Sequence, residues 1–229
     1  MRSIAIATLS VALSATATAQ ETNSNEPAPV NRKSELGLMG ETSFGNNNNG
    51  NIDGMAGIQY KRWVKPNAGY RIIAAYGRYS NFGTPKVLSK EGDTVTETHR
   101  RTEIPVAIVG GGLEMQRHFY KRIYLYAAAE LRVGYGRGSY DSIVIKRNDN
   151  SNYANAISGV RMNSVSLFSI AAAPSIGAKF IFNRIVFGTE LSALNLNFSS
   201  LKYPNTSSSG VGEFNPGTFW PRFFVHYPF

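Results

Sequence analysis

The chain has 229 residues, carries a formal charge of +9 and contains no cysteine. The absence of Cys excludes disulfides, a thiol nucleophile and thiolate metal ligands, and the dispersed Lys and Arg residues argue against a nucleic-acid-binding surface. The 22 Gly, 12 Tyr and 13 Phe residues, together with a charged fraction of 17%, favour β-strands over helices.

The N-terminal segment "MRSIAIATLSVALSATATAQ" has the three parts of a secretory signal peptide. Arg2 supplies the positive charge, residues 4–13 form an apolar stretch too short to span a bilayer as a helix, and "ATA" forms a small-x-small cleavage site. We therefore predict a cleaved signal peptide over 1–19. Residues 20–32, "QETNSNEPAPVNR", are polar and Pro-containing, and are predicted to form a flexible periplasmic leader.

The clearest pattern in the rest of the chain is the alternation in "IYLYAAAELRVGYGRG", residues 123–138. One face of this segment carries Ile123, Leu125, Ala127, Ala129, Leu131, Val133 and Tyr135. The other face carries Tyr124, Tyr126, Ala128, Glu130, Arg132, Gly134 and Gly136. Alternation over this length predicts a strand longer than the about 5–6 residues usual in soluble proteins.

The same criterion, applied to the whole chain, predicts eight strands at about 33–44, 53–64, 68–80, 101–117, 122–139, 163–181, 184–199 and 219–229. Three connections are short, and the alternate ones are polar and mostly long: 45–51, 81–99, 140–162 and 200–218. An even strand number with short turns at one end and longer loops at the other is typical of transmembrane barrels. We predict an all-β fold over 33–229, an eight-stranded antiparallel up-and-down transmembrane β-barrel.

A barrel in lipid is apolar outside and polar inside, because lipid cannot hydrogen-bond to exposed polar groups. The inward face then carries a nearly balanced set of acids and bases, predicted to form a polar network across the lumen: Glu41, Lys61, Arg71, Glu114, Glu130, Arg132, Lys179, Glu190, Arg222 and His226. Inward glycines are predicted to make room for these long side chains: Gly110, Gly112, Gly134, Gly136 and Gly188.

Aromatic residues near the strand ends are predicted to form girdles at the two membrane interfaces. The periplasmic rim would hold Trp63, Tyr70, Phe119, Tyr120 and Phe229, and the outer rim Phe44, Tyr79, Phe82 and Phe219. One strand departs from the regular pattern, since the alternation in "LSALNLNFSS" changes phase after Ala193. A bulge and a continuation of the strand above the membrane both account for this change.

The final segment, "PRFFVHYPF", has aromatic or branched side chains at alternate positions: Phe223, Val225, Tyr227 and Phe229. The signal peptide, the strand number, the asymmetric connections and this row together resemble the small outer-membrane β-barrels of the OmpA and OmpX type, and among them those of Bacteroidetes. The resemblance covers essentially the whole chain after the signal peptide. It implies integral localisation in the outer membrane of a Gram-negative cell envelope, with the terminal row read by the barrel assembly machinery. Pro228 departs from the common form of that row.

Catalytic and metal sites have little support in the sequence. No histidine has a Ser two positions later, the arrangement that lipid A deacylases of this size use: His99, His118 and His226. A protease-like pair would need His99 to meet Asp93 or Asp141 through the folding of loops. The Asp- and Asn-rich segments at 53–55 and 147–152 have the composition of ordinary loops. We predict no enzyme activity, no cofactor and no metal site.

The sequence favours a structural or surface-interaction protein with a side-chain-filled lumen. Its predicted partners are outer-membrane lipid, the barrel assembly machinery and an external or membrane protein that contacts the loops at 81–99, 140–162 and 200–218. A narrow channel for ions or small solutes is the alternative function, and a lipid-modifying enzyme is a weaker one. The sequence identifies neither the ligand nor the external partner.

Overall fold

The computed structural model describes residues 33–42, 51–91, 94–148, 154–192, 196–203, 213–214 and 220–229. These residues form β1 (Ser34–Thr42), β2 (Asn51–Lys65), β3 (Ala68–Glu91), β4 (Thr94–Tyr120), β5 (Ile123–Asn148), β6 (Ala154–Phe182), β7 (Ile185–Ser192), β8 (Leu196–Lys202), β9 (Glu213–Phe214) and β10 (Trp220–Pro228). The predicted signal peptide at 1–19 and leader at 20–32 lie outside the described residues. Within the part of the chain that the structure describes, no helix is long and apolar enough to cross a membrane.

The strands close into a ring in the order β1, β2, β3, β4, β5, β6, β7, β10 and back to β1, with every neighbouring pair antiparallel. The seam between first and last strands is complete, because the backbone N–H of Ser34 donates to the carbonyl of Phe229 and that of Phe229 donates back to Ser34, at 3.1 and 2.9 Å. The predicted eight-stranded antiparallel up-and-down barrel is therefore confirmed.

One end of the ring carries three tight two-residue turns, at 66–67, 121–122 and 183–184. We call it the turn end, and the opposite end the extension end. In two of the turns the first residue adopts the left-handed region, with φ of 44° at Lys121 and 51° at Asn183. This conformation allows two residues to reverse the chain between twisted strands.

The extension end continues well beyond the ring. β2 pairs with β3 only as far as Asn51 with Ser80, yet β3 goes on to Glu91 and β4 to β6 extend beside it, with 27, 26 and 29 residues. The loops predicted at 81–99 and 140–162 are therefore wrong over most of their length. Outside a membrane the outer face of a strand need not be apolar, so polar strands there look like loops in sequence. Most of the loop predicted at 200–218 lies outside the described residues.

The phase change in the seventh ring position has a structural basis. β6 pairs first with β7, ending at Ser175 with Ser192, and then with β8, starting at Ala172 with Leu196. Between these two pairs the chain advances by three residues on β6, from 172 to 175, but by four on the partner side, from 192 to 196. The partner side therefore carries one extra residue. A one-residue excess exchanges the two faces of a strand. Glu190 is accordingly buried in β7, whereas Leu196 is exposed in β8.

The outer wall is an apolar surface to which every ring strand contributes. Exposed side chains include Leu36 and Leu38 on β1, Ile58 on β2, Ile72 on β3, Val109 and Leu113 on β4, Leu131 and Val133 on β5, Ile170 and Ile176 on β6, Phe187 and Leu191 on β7, and Phe223 and Val225 on β10. Tyr70, Phe119, Tyr120 and Phe229 are exposed at the turn end, as the predicted girdle requires. Trp63 and Tyr79 depart from that prediction, because both share the inward phase of their strands, and Tyr79 is buried.

Candidate functional site

The lumen is the part of the molecule where chemistry-bearing side chains meet. All ten predicted network residues are buried, each at most 7% exposed. They come from all eight ring strands, since β1 to β7 and β10 alternate inward and outward residues and bring distant segments together. We call these ten residues, together with Glu35 described below, the charged layer.

Arg222 on β10 is the centre of this layer. Its guanidinium contacts Glu41 at 2.7 Å, Glu130 at 2.9 Å and Glu190 at 3.4 Å, and the arginine has no exposed surface. These three carboxylates lie on β1, β5 and β7, on different sides of the lumen. A planar guanidinium with five N–H donors suits such multiple contacts better than an ammonium group.

Two further arginines complete this central group. Arg71 contacts Glu190 at 2.6 Å and Glu130 at 2.8 Å. Arg132 contacts Glu41 at 2.6 Å and also donates to Glu130, its neighbour on the same strand. Each carboxylate therefore faces at least two arginines, which is the arrangement that offsets the desolvation of buried charges.

Toward the turn end, the charged layer continues with contacts that join fewer residues than the central arginine group. Lys61 pairs with Glu114 at 2.7 Å, and Lys179 lies 3.5 Å from Glu35. His226 Nδ1 lies 3.2 Å from the other oxygen of Glu35. The Trp63 indole N–H donates to Glu35 at 2.8 Å, and its ring lies 4.1 Å below the Lys179 ammonium.

Glu35 is the residue that sequence reasoning missed. With it the lumen holds five carboxylates against five Lys and Arg side chains, in addition to His226. The signal was present, because Glu35 has the same phase on β1 as Glu41. The balance matters because an unpaired charge in this interior would cost several kcal/mol, roughly 3–5 when one partner is removed.

Next to the charged layer, toward the extension end, the lumen is filled by apolar side chains. We call this set the apolar layer: Ile52, Tyr79, Ile104, Val106, Ile108, Val165 and Leu167, all buried in one hydrophobic cluster. Trp220 lies at the boundary, where the Arg132 guanidinium stacks 5.5 Å from its ring. The layer was not predicted, although Ile104, Val106 and Ile108 share the inward phase of Glu114 on β4.

Two inward glycines show how tightly the interior is filled. A Cβ on Gly188 would lie 2.1 Å from the Phe224 ring, and a Cβ on Gly177 would lie 2.4 Å from the Tyr126 ring. The same two rings flank the Lys61 ammonium, at 4.3 and 5.1 Å. Glycine is required at both positions because an aromatic ring from another strand packs directly against the glycine backbone.

The predicted assembly row lies on the outer wall of β10. Its four members are all exposed: Phe223, Val225, Tyr227 and Phe229. Arg222, Phe224 and His226 alternate with them and point into the lumen. The last strand therefore carries both the centre of the charged layer and an apolar row that faces outward.

This arrangement blocks the lumen rather than opening a path through it. Charged side chains are bound to each other, and the apolar layer closes the space toward the extension end. Among the described residues no group of three His, Cys, Asp or Glu side chains could hold a metal ion. Each histidine has a different surrounding: His226 lies at the seam against Glu35, His118 contacts the Lys121 carbonyl at 2.8 Å, and His99 contacts Glu97 at 2.9 Å.

Comparison with protein-family models gives no match, and neither does comparison with curated protein sequences. Among solved structures, the chain is similar to the N-terminal β-barrel domain of Pseudomonas aeruginosa OprF, with 12% identity, a TM-score of 0.37, and coverage of 86% of this chain and 98% of that one. It is also similar to Ail of Yersinia pestis in complex with the heparin analogue sucrose octasulfate, with 10% identity, a TM-score of 0.31, and coverage of 86% and 97%.

A third similar structure is CarO of Acinetobacter baumannii, with 11% identity, a TM-score of 0.30, and coverage of 84% of this chain and 97% of that one. The similarities are loose in sequence and in superposition, so the assignment of the fold rests on the strand pairing of the chain itself. A relation to barrels of Bacteroidetes stays a prediction.

Proposed function

We propose that the protein is an integral outer-membrane barrel that acts as a structural or surface-interaction protein. It is exported through a signal peptide at 1–19, and residues 20–32 form a periplasmic leader ahead of the barrel at 33–229. The observation that carries the proposal is the inverted distribution of polarity, with ion pairs buried inside and an apolar wall outside. That distribution is stable where lipid, not water, surrounds the wall.

The filled lumen supports a protein that does not conduct. An ion that followed the axis would have to break contacts of Arg222, Arg71 or Arg132 and then cross the apolar layer without its hydration shell. An eight-stranded barrel has only enough interior space for its own side chains. The narrow channel is therefore the less favoured function.

The extension supplies the interaction surface. Its strands reach far past the about 9–11 residues needed to cross a bilayer, and they present exposed polar and apolar groups such as Val87, Leu88 and Lys146. A sheet that projects from a membrane is suited to contact an external or neighbouring membrane protein. The scattered histidines support a protein without catalytic activity, and the outward row of β10 supports recognition by the barrel assembly machinery.

Membrane fractionation and single-channel recording test the proposal together. The protein should sediment with the outer membrane on a density gradient, and the folded form should migrate faster on a gel before boiling than after it, because a closed barrel has no free edge. Purified protein in a planar bilayer should give at most rare, small openings, with a boiled sample as the control for contaminants. Steady conductance would replace the structural function by the channel. Identical mobility before and after boiling would contradict the barrel.

A further inference from the structure

A shallow groove runs down the outer wall along β4, between β3 and β5. Its floor consists of the small outward residues of β4, namely Pro105, Ala107 and Gly111, with Val109 as the bulkiest member. Larger exposed side chains stand on both sides of Ala107 and Gly111, whereas beside Val109 the β3 side carries only Ala74. The pairing sets Tyr76 and Tyr135 on either side of Ala107, and Ile72 and Leu131 on either side of Gly111.

Two arginines stand at the head of this groove. Arg78 on β3 pairs with Pro105, and the pairs on either side of Pro105 set it opposite Arg137 of β5. Neighbouring strands lie about 4.8 Å apart, so the two arginine backbones are roughly 10 Å apart across the proline. Both arginines are exposed, and together with Tyr76, Glu103 and Gly138 they line a recess of about 430 Å³.

The arginines around the recess outnumber the acids. Arg78 and Arg101 both donate to one oxygen of Glu103, and the register of β4 and β5 sets Arg101 opposite Asp141. With Arg137, three arginines therefore face two acids, which leaves one positive charge in excess, and Glu103 holds Arg78 in place. Arg137 donates to the Tyr135 hydroxyl at 3.1 Å, which leaves most of its five N–H donors for an anion.

The length of the groove matches half a bilayer. From Pro105 to Gly111 the strand rises about 20 Å, and a tilt of about 40° reduces this to about 15 Å along the membrane normal. The hydrocarbon core is about 30 Å thick, so one leaflet is about 15 Å. Leu113, which is 69% exposed, closes the lower end of the floor.

We propose that this groove binds one phosphorylated lipid of the outer leaflet, with a phosphate between Arg78 and Arg137 and an acyl chain along Pro105, Ala107 and Gly111. The orientation rests on the proposed function, in which the extension end faces outward. Guanidinium groups bind phosphate through paired charge-assisted hydrogen bonds, and these are strongest next to an apolar surface from which water is excluded.

Native mass spectrometry of the refolded protein in detergent tests the groove with three probes. They are an acylated, phosphorylated diglucosamine lipid, the same lipid without phosphate, and the phosphorylated diglucosamine without acyl chains. We expect the complete lipid to bind at least about tenfold more tightly than either other probe, since each lacks one half of the contacts. Equal binding of all three would overturn the proposal, and preference for the probe without chains would reduce it to a phosphate site.

Variants locate the site. The double variant Arg78→Gln, Arg137→Gln should bind the complete lipid no better than the lipid without phosphate, and Ala107→Phe should weaken binding by filling the floor. The matched controls are Arg117→Gln, at an exposed arginine near the turn end of the same strand, and Ala129→Phe, at the residue of β5 that pairs with Leu113. Both should bind normally. A loss with Arg117→Gln equal to that of the double variant would contradict the groove.

The outcome separates this inference from the proposed function. A protein that fractionates with the outer membrane but does not discriminate among the probes contradicts the groove alone. A protein found elsewhere contradicts the proposed function, while binding in detergent still decides whether the groove recognises a phosphorylated lipid.

Discussion

In the charged layer, side chains are held by several partners from distant strands, whereas the aliphatic side chains of the apolar layer are held by packing. Arg222 joins carboxylates of β1, β5 and β7, and no single contact accounts for its position. Ile104 and Leu167 have no such directional contacts and are buried as completely. The difference teaches that one layer fixes which strands face each other, and the other fills the remaining space. Each layer should therefore respond to substitution in its own way.

The largest effect should come from the charged layer. Arg222→Met removes the shared partner of Glu41, Glu130 and Glu190, and a buried charge without its partner costs about 3–5 kcal/mol. The free energy of unfolding, measured by urea titration in detergent with gel mobility as the readout, should fall by that amount. Adding Glu41→Gln to the variant should restore part of the loss, because it removes the excess negative charge that Arg222→Met leaves in the lumen, where Glu41 still contacts Arg132. A loss no larger than that of a conservative change in the apolar layer would show that the two layers do not differ.

A charge placed on the other side of the same wall sharpens the comparison. Leu131→Arg should cost about 2–4 kcal/mol at the membrane midplane, although Arg132 next to it is accommodated in the lumen. The reason is that Arg132 has Glu41 and Glu130 as partners, whereas position 131 faces lipid. Unfolding of the variant against a Leu131→Met control measures the difference. If a polarity-sensitive probe at position 131 reported water, the assignment of the two faces would be wrong.

Deletion of Phe229 tests the outer row of the strand that carries Arg222. The lost aromatic contact is worth about 1.5–3 kcal/mol, too little to unfold the barrel in detergent. In cells the deletion should nevertheless leave the protein in the periplasm or degraded, because the assembly machinery is expected to read this residue. Pro228→Ala, on the inward face, is the control and should reach the outer membrane. Normal outer-membrane levels of the deletion would reduce Phe229 to a lipid-facing residue.

The smallest effect should come from the apolar layer. Ile104→Val removes one buried methylene and should cost about 0.5–1.5 kcal/mol, with no change in heat-dependent mobility. The same urea titration measures it, with the exposed Ile72→Val on the lipid face as the matched control. A cost as large as that of Arg222→Met would mean that the apolar layer also determines how the strands are arranged.

The barrel was predictable because the alternation of inward and outward side chains can be recognised within a single strand. Alternation along β5 separates Leu131 from Glu130 and Arg132, and the same alternation on β4 and β10 places Glu114 and Arg222 inward. The extension was not predictable in this way. Segments such as 94–102 consist mostly of polar residues, and a strand of that composition looks like a loop in the sequence.

The contents of the lumen were predictable only in part. The alternation along each strand assigns Glu35 and Ile104 to the interior, but it does not show which inward residues contact each other. That Arg222 lies between Glu41 and Glu190 depends on closure of the ring and on the stagger of its strands, neither of which a single segment contains. The groove along β4 has the same origin, because its walls belong to β3 and β5.

The seam between β1 and β10 has a consequence for the order of events in folding. Glu35 pairs with Pro228, so the ring closes only when segments near opposite ends of the chain meet. Apart from the seam and the β7–β10 pair, neighbouring ring strands follow each other in the chain, so their pairing can begin at the connection between them. The seam has no such connection from which pairing can begin. Before it forms, the protein is an open sheet with two unpaired edges, the state in which a β-protein most readily associates with the wrong strand. The rate of this one encounter therefore limits how long the chain needs protection.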